Sequence, residues 1–164
     1  MTERTTDIKA TSRGKSEELL QLVSFNIGEE EFGVDILNVQ EINRMMDVTR
    51  VPNSRQYVEG VINLRGKVIP IVDLRRQLGL QRKEHDKHTR IVVVEVDRKV
   101  VGFIVDGVSE VLRIPKEVTE PPPTNDNGGD EGFITSIGKL EGRLLILLNV
   151  GSLMRAAEPA LRAA

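Results

Sequence analysis

Two stretches of this chain repeat each other in the same order, and that repeat constrains the fold more than any other feature of the sequence. Leu64-Arg65-Gly66-Lys67 followed by Val68 to Leu74 lines up with Leu140-Glu141-Gly142-Arg143 followed by Leu144 to Val150, an offset of 76 that places Asp73 over Asn149. An earlier stretch repeats at an offset of 69, with Gly33 on Gly102, Val39 on Val108, Glu41 on Glu110 and Ile42 on Val111. Arg50-Val51-Pro52 likewise matches Arg113-Ile114-Pro115. Matched pieces in matched order indicate one small unit written twice. They predict two similar units that superpose with Gly66 on Gly142 and Val39 near Val108.

The unit is a β unit. Val and Ile together number 33, in short runs separated by Gly, Asp, Asn and Pro, which is the composition of strands. Phe32, Val34 and Ile36 alternate with Glu31, Gly33 and Asp35, and Val23, Phe25 and Ile27 alternate in the same way, so one face of each strand lies on a core. Further strand runs are Val58 to Leu64, Lys67 to Leu74, Arg90 to Val96, Lys99 to Val105, Ile134 to Leu140 and Arg143 to Val150. Three short stretches read as helix: Leu37 to Met46, Leu74 to Leu80, and the Ala-rich end from Ser152. The expected fold is therefore mostly β, two small five-stranded barrels with short helices. A unit of about 65 residues buries too little on its own, so a shared hydrophobic core is expected between them. Residues 1-18 read as a disordered tail, 19-155 as the folded domain with approximate halves 19-80 and 90-154, and 156-164 as a flexible tail. Gln81 to Thr89 is a charged connector, and Pro121 to Gly132 is a long Pro- and Gly-rich loop.

Several function classes fall away. The apolar run Leu144 to Leu148 is far short of the roughly 18 residues of a membrane-spanning helix, and the N-terminus lacks the apolar stretch of a secretory signal. The chain has no cysteine, hence neither disulfides nor thiolate chemistry. The cytoplasm is the expected compartment. A net charge of -2 with four Phe, one Tyr and no Trp offers nucleic acid neither a basic field nor stacking platforms. Gly14-Lys15-Ser16 has Lys9 where a phosphate-binding loop needs glycine. His85 and His88 could clip a metal with Asp86, but they sit in a solvated charge run with no second cluster, so no metal and no cofactor is expected. Asp73 and Asp106 follow apolar strands, where a carboxylate can be catalytic. Asp73 reads better as an N-cap for the helical stretch after it, and Asp106, beside Gly107, as a turn residue. An Asp-dependent hydrolase working between the barrels is the enzyme alternative, and it lacks any nucleophile and base pair.

What remains is a binding protein. Phe32-Gly33-Val34-Asp35-Ile36-Leu37, Val39-Gln40-Glu41-Ile42, Gly60-Val61-Ile62-Asn63-Leu64-Arg65-Gly66, Pro70-Ile71-Val72-Asp73-Leu74 and Val105-Asp106-Gly107-Val108 together resemble the CheW family of chemotaxis coupling proteins, from about Leu20 to Met154. The resemblance implies two SH3-like barrels and a non-catalytic adaptor without cofactor. It implies two partners, the cytoplasmic tip of a chemoreceptor (a methyl-accepting chemotaxis protein) and the regulatory domain of a CheA-type histidine kinase, and a place at the inner face of the membrane in receptor arrays without insertion. The length leaves no room for a fused kinase or receiver domain, so the stand-alone coupler matches best. A coupler for pili or gene expression is the alternative pathway.

The resemblance also implies sites. Val39, Glu41, Gly60, Arg65 and Val108 fall at receptor-binding positions, and Lys67, Val68 and Glu120 at kinase-binding positions. On its own, Val39 reads as core, in a stripe with Ile42 and Met46; the resemblance places it near a groove between the barrels that takes the receptor's helical hairpin, and the two readings weigh equally. Arg65 on its own reads as solvated surface or as a guanidinium for a carboxylate, and the resemblance places it in the receptor groove near Glu41; the matching hairpin has Glu141, so the turn does not need arginine. Gly60 admits a partner helix or merely begins a strand. PPPTN at 121–125 departs from the family, with neither aromatic nor charge in its middle.

Overall fold

The computed structural model describes residues 18–52, 57–123 and 132–163, with side chains placed as far as residue 157. Among these residues the chain forms strands β1 (Leu19–Ile27), β2 (Glu30–Asp35), β3 (Val39–Arg44), β4 (Val58–Leu64) and β5 (Lys67–Asp73), then the one-turn helix α1 (Leu74–Gln77). Strands β6 (Arg90–Val96), β7 (Lys99–Val105), β8 (Gly107–Pro115), β9 (Thr119–Glu120), β10 (Ile134–Leu140) and β11 (Arg143–Leu148) follow, and helix α2 (Val150–Ala163) ends the chain. Two sheets result, one in the order β8-β1-β2-β11-β10-β9 and the other β3-β6-β7-β5-β4. The fold is mostly β, with two SH3-like subdomains; the sheets are curled without a closed ladder, and the two-residue β9 makes the first of them six-stranded rather than five-stranded.

The two sheets match strand for strand and at the residue level. Gly102 on β7 stands opposite Ile71 on its parallel neighbour β5, and Gly33 on β2 stands opposite Leu147 on β11. The register shifts between Val58 and Gly60 in one sheet and between Ile134 and Ser136 in the other, again 76 apart. Asp73 N–H donates to the Tyr57 carbonyl and Asn149 N–H to the Phe133 carbonyl, both at 2.7 Å. Gly66 and Gly142 occupy the corresponding two-residue hairpins, and Val39 is the first residue of β3 and Val108 the second of the corresponding β8.

The halves of the sequence are nevertheless not the halves of the fold. The β1–β2 hairpin completes the sheet built from β8 to β11, while β6–β7 completes the sheet built from β3 to β5. Each subdomain thus borrows its central hairpin from the other half of the chain, and 19-80 and 90-154 interlock instead of lying side by side. Two further expectations change. Leu37 to Met46 is not a helix: a 3-10 turn at Ile36–Asn38, capped by the Asp35 carboxylate on Leu37 N–H at 2.9 Å, leads directly into β3. The segment 156–163 is not a flexible tail either, because α2 runs through it and Ala157 is wholly buried. Residues 1–17 lie outside the described residues.

Interlocking concentrates the apolar surface in the seam. Its cluster takes Phe25, Ile27 and Phe32 from one sheet, Val92, Val94, Phe103 and Val105 from the other, and Leu153 from α2. The Phe25 and Phe32 rings stack with centroids 6.0 Å apart. Each subdomain keeps a smaller interior, around Ile69, Ile71, Ile91 and Val93 in one and Leu22, Ile114, Leu145 and Leu147 in the other. In the second of these Ser24 occupies the place of Val93. It is wholly buried and its hydroxyl has no partner among the described residues, a desolvated group that costs about 1 to 3 kcal/mol. Ser24→Ala is therefore expected to raise the unfolding free energy by about 1 kcal/mol. Urea titration checks this, and a midpoint unchanged or lowered contradicts it.

Candidate partner-binding surfaces

The side chain of Arg65 reaches from the β4–β5 hairpin to β3, where it pairs with the Glu41 carboxylate. Arg65 is 70% exposed and Glu41 25%, so the pair itself adds at most about 1 kcal/mol to the fold. The hairpin has its own signature. Arg65 has φ 52 and Gly66 φ 87, the two left-handed residues of a tight turn that prefers Asn-Gly or Gly-Gly, and the Asn63 side chain accepts from Gly66 N–H at 2.9 Å. Arginine in that conformation costs about 1 kcal/mol. Glu141, its counterpart by offset, is not among the positive-φ residues, so the two hairpins turn differently and Glu141 is no test of what position 65 tolerates. The Asp97–Arg98 turn also carries positive φ; among the described residues it is Arg65 whose side chain extends across to a strand-borne carboxylate.

Val39 and Val108 are both half-buried against the seam cluster. Each presents its remaining surface at the start of a strand that lies at one edge of its sheet, so core and surface readings both apply to these side chains. Gly60 is different. It is buried with φ 147, and a Cβ there would lie 2.1 Å from the Thr49 carbonyl oxygen. The chain's own backbone occupies the space, which accounts for the missing side chain without a partner.

Lys67 and Val68 begin β5 beyond the same hairpin, both exposed, Val68 at 70%. Glu120 lies on β9, exposed and paired with Lys139 Nζ at 2.9 Å. It is separated in sequence from the Val68 hairpin and stands at the opposite subdomain's edge; residues 124 and 125 of the expected second segment lie outside the described residues. Sequence reasoning passes over the counterparts of these groups. Exposed Val111 and Leu144 stand at the positions of Ile42 and Val68, and Glu110 pairs with Arg143 at 3.1 Å much as Glu41 pairs with Arg65. The offsets of 69 and 76 point directly to them.

The two aspartates do structural work. Asp73 is 3% exposed, and its carboxylate accepts from Arg75 N–H at 3.2 Å at the start of α1. Burial, and then the neighbouring Glu59 carboxylate, push its pKa above the usual carboxylate range. A raised folded-state pKa means the fold prefers the neutral form, so stability is lost as pH rises through that pKa. Asp73→Asn keeps the capping oxygen, as Asn149 does at 2.9 Å from Ser152 N–H, and removes the charge. The variant is expected to melt at or above the wild-type temperature at pH 7, with the difference shrinking as pH falls toward about 4. Thermal unfolding across pH checks it; a difference that grows on acidification contradicts the assignment. Asp106 is taken up by Gly28 N–H and Arg75. In the connector, Asp86 accepts from His88 N–H at 2.8 Å, and that bond, ahead of Lys83, holds its carboxyl below the usual range. No group of three metal-ligating side chains occurs among the described residues, and no helix there is long and apolar enough to cross a membrane.

Known proteins resemble the chain over most of its length. Residues 21–158 match the CheW-like domain model. The chain is 39% identical to the chemotaxis protein CheW of Klebsiella aerogenes over 141 residues, covering 86% of this chain and 85% of that one. It is 31% identical to the protein FrzA of Myxococcus xanthus, covering 81% and 84%. The crystal structure of the scaffolding protein TtCheW from Thermoanaerobacter tengcongensis superposes with a TM-score of 0.75 at 35% identity, over 80% of this chain and 90% of that one. Scaffolding relatives place the chain among non-catalytic coupling adaptors of chemotaxis and not among enzymes. On sequence and on fold alike, the chain belongs to the CheW-like domain family.

Proposed function

We propose that this adaptor ties the cytoplasmic tip of a chemoreceptor to the regulatory domain of a CheA-type histidine kinase, working in the cytoplasm at the inner face of the membrane within receptor arrays. One observation carries the receptor side: the arginine at position 65 is held in a backbone conformation that favours glycine or asparagine, and extends a mostly exposed guanidinium beside Glu41 on β3. A residue that costs the turn energy is explained by what its guanidinium binds, a carboxylate on the incoming receptor helix. Val39 and Val108 supply aliphatic contact at the seam, a helix-in-groove arrangement, and Gly60 fixes the strand behind them. The kinase domain docks on Val68 and Lys67 at the far side of the same hairpin, with Glu120 as a second contact.

Co-sedimentation of three purified components tests the bridge. The kinase regulatory domain is expected to travel with a receptor cytoplasmic fragment only when this protein is present. Failure to retain the kinase domain, or equal retention without this protein, contradicts the proposal.

A further inference from the structure

The chain passes between the two sheets at two points, through Ile36–Asn38 between β2 and β3 and through Asp106 between β7 and β8. An offset of 69 makes Leu37 and Asp106 counterparts, yet they behave oppositely. Leu37 is 88% exposed. Asp106 has only 17% of its side chain exposed, and one carboxylate oxygen, Oδ2, accepts from Gly28 N–H at 2.8 Å and from Arg75 Nη1 at 2.6 Å. Its own N–H donates to the Asn26 carbonyl at 3.0 Å. Asn26 and Gly28 belong to the β1–β2 hairpin of the first sheet, whereas Arg75 belongs to α1 behind β5 of the second. Arg75 also donates through Nε to the Gln81 carbonyl at 2.7 Å, which holds the charged connector. One carboxylate therefore joins both sheets and, through Arg75, the connector. The start of β8, with Val108 two residues on, forms one wall of an open cleft of about 340 Å³ beside it.

We infer that Asp106 is a positioning residue that fixes the two subdomains relative to one another, and through that orientation sets the spacing of Val39 and Val108 for the receptor helix. The inference rests on the proposed receptor reading for its second half only. The seam and two crossovers join the subdomains, and at Asp106 one crossover carries a polar tie between the sheets. A charge-assisted bond with little solvent access is the strong kind, and removing one partner leaves the other charge unpaired. Val39 and Val108 lie on different sheets, so a rotation moves them apart while leaving the Val68 hairpin, which sits within one sheet, intact.

The absence of native cysteine allows spin labels at Val68→Cys and Leu144→Cys, exposed positions on the two sheets, and pulsed dipolar spectroscopy then reads the inter-sheet distance. Asp106→Asn and, separately, Arg75→Gln are expected to broaden a narrow wild-type distribution, and the double variant to broaden it no further. In unlabelled protein each single variant is expected to weaken binding to a receptor cytoplasmic fragment about tenfold and to weaken binding of the kinase regulatory domain clearly less, because Val68 and Lys67 lie together on one sheet and only Glu120 lies on the other. An unaltered distance distribution in both single variants overturns the inference. So does a broadened distribution with unchanged receptor affinity, or equal weakening toward both partners with a lowered melting temperature, which marks a merely structural residue. Lack of receptor binding by the wild type sinks the receptor reading and the spacing claim, while the distance measurement still decides the orientation claim.

Discussion

Gly60→Ala is expected to cost about 4 kcal/mol or more, enough to leave a domain of ordinary stability largely unfolded at 37 °C. Three effects act on one atom. The added Cβ would lie 2.1 Å from the Thr49 carbonyl oxygen, 2.8 Å from its carbon and 2.9 Å from Val48 Cγ1, and backbone cannot yield as a flexible side chain does. Pushing Thr49 away breaks the two hydrogen bonds that tie it to Val61, Thr49 N–H to Val61 at 2.8 Å and Val61 N–H to Thr49 at 2.9 Å, each a net contribution of about 1 kcal/mol. The backbone is also at φ 147, a region that costs an L-residue about 1 to 3 kcal/mol. Far-UV circular dichroism and thermal unfolding of the purified variant read the outcome. A melting temperature within two or three degrees of wild type contradicts the steric account and returns Gly60 to the partner-binding residues.

Much of the scaffold is legible in the residues alone. The strands β1 and β2 show period-two patterns, β4 to β7, β10 and β11 are Val-, Ile- and Leu-rich runs paired through two-residue turns, and the 69 and 76 offsets mark the equivalent positions of the two subdomains. Two things resisted. In β3 the half-buried face carries Val39, Glu41 and Asn43, and the exposed face Gln40, Ile42 and Arg44. Polar residues on the inner face, one of them committed to Arg65, erase the alternation, and Val39, Ile42 and Met46 then mimic a helical stripe. Its counterpart β8 hides in the same way, with Glu110 and Val111 both exposed. The interlock could not be read at all, because a repeat says which segments are alike and not which copy they pair with; β1–β2 and β6–β7 fit the same kind of acceptor edge. Of the candidate site, residue chemistry offered Arg65 a carboxylate and the family resemblance pointed to Glu41, whereas the reason for Gly60 lay in Thr49, a neighbour that sequence distance conceals.

The second large effect concerns Arg65→Glu. The turn conformation is no harder on glutamate than on arginine, since both are unbranched L-residues at φ 52, and the lost ion pair is mostly solvated. Unfolding free energy is expected to move by about 0.5 to 1 kcal/mol, chiefly from placing a second carboxylate beside Glu41. Receptor binding is another matter. Reversal removes a charge-assisted contact and sets two carboxylates against an acidic group on the partner, a loss of about 2 kcal/mol or roughly 30-fold in affinity. Salt sharpens the distinction: raising ionic strength weakens wild-type receptor binding through the same contact and narrows its gap to the variant.

Affinity of wild type and Arg65→Glu for a receptor cytoplasmic fragment and for the kinase regulatory domain, measured separately by calorimetry, tests the two-surface account most directly. The account predicts receptor affinity lowered roughly 30-fold, with kinase-domain affinity and melting temperature held. Equal receptor affinity for both proteins, or equal weakening toward both partners, contradicts it.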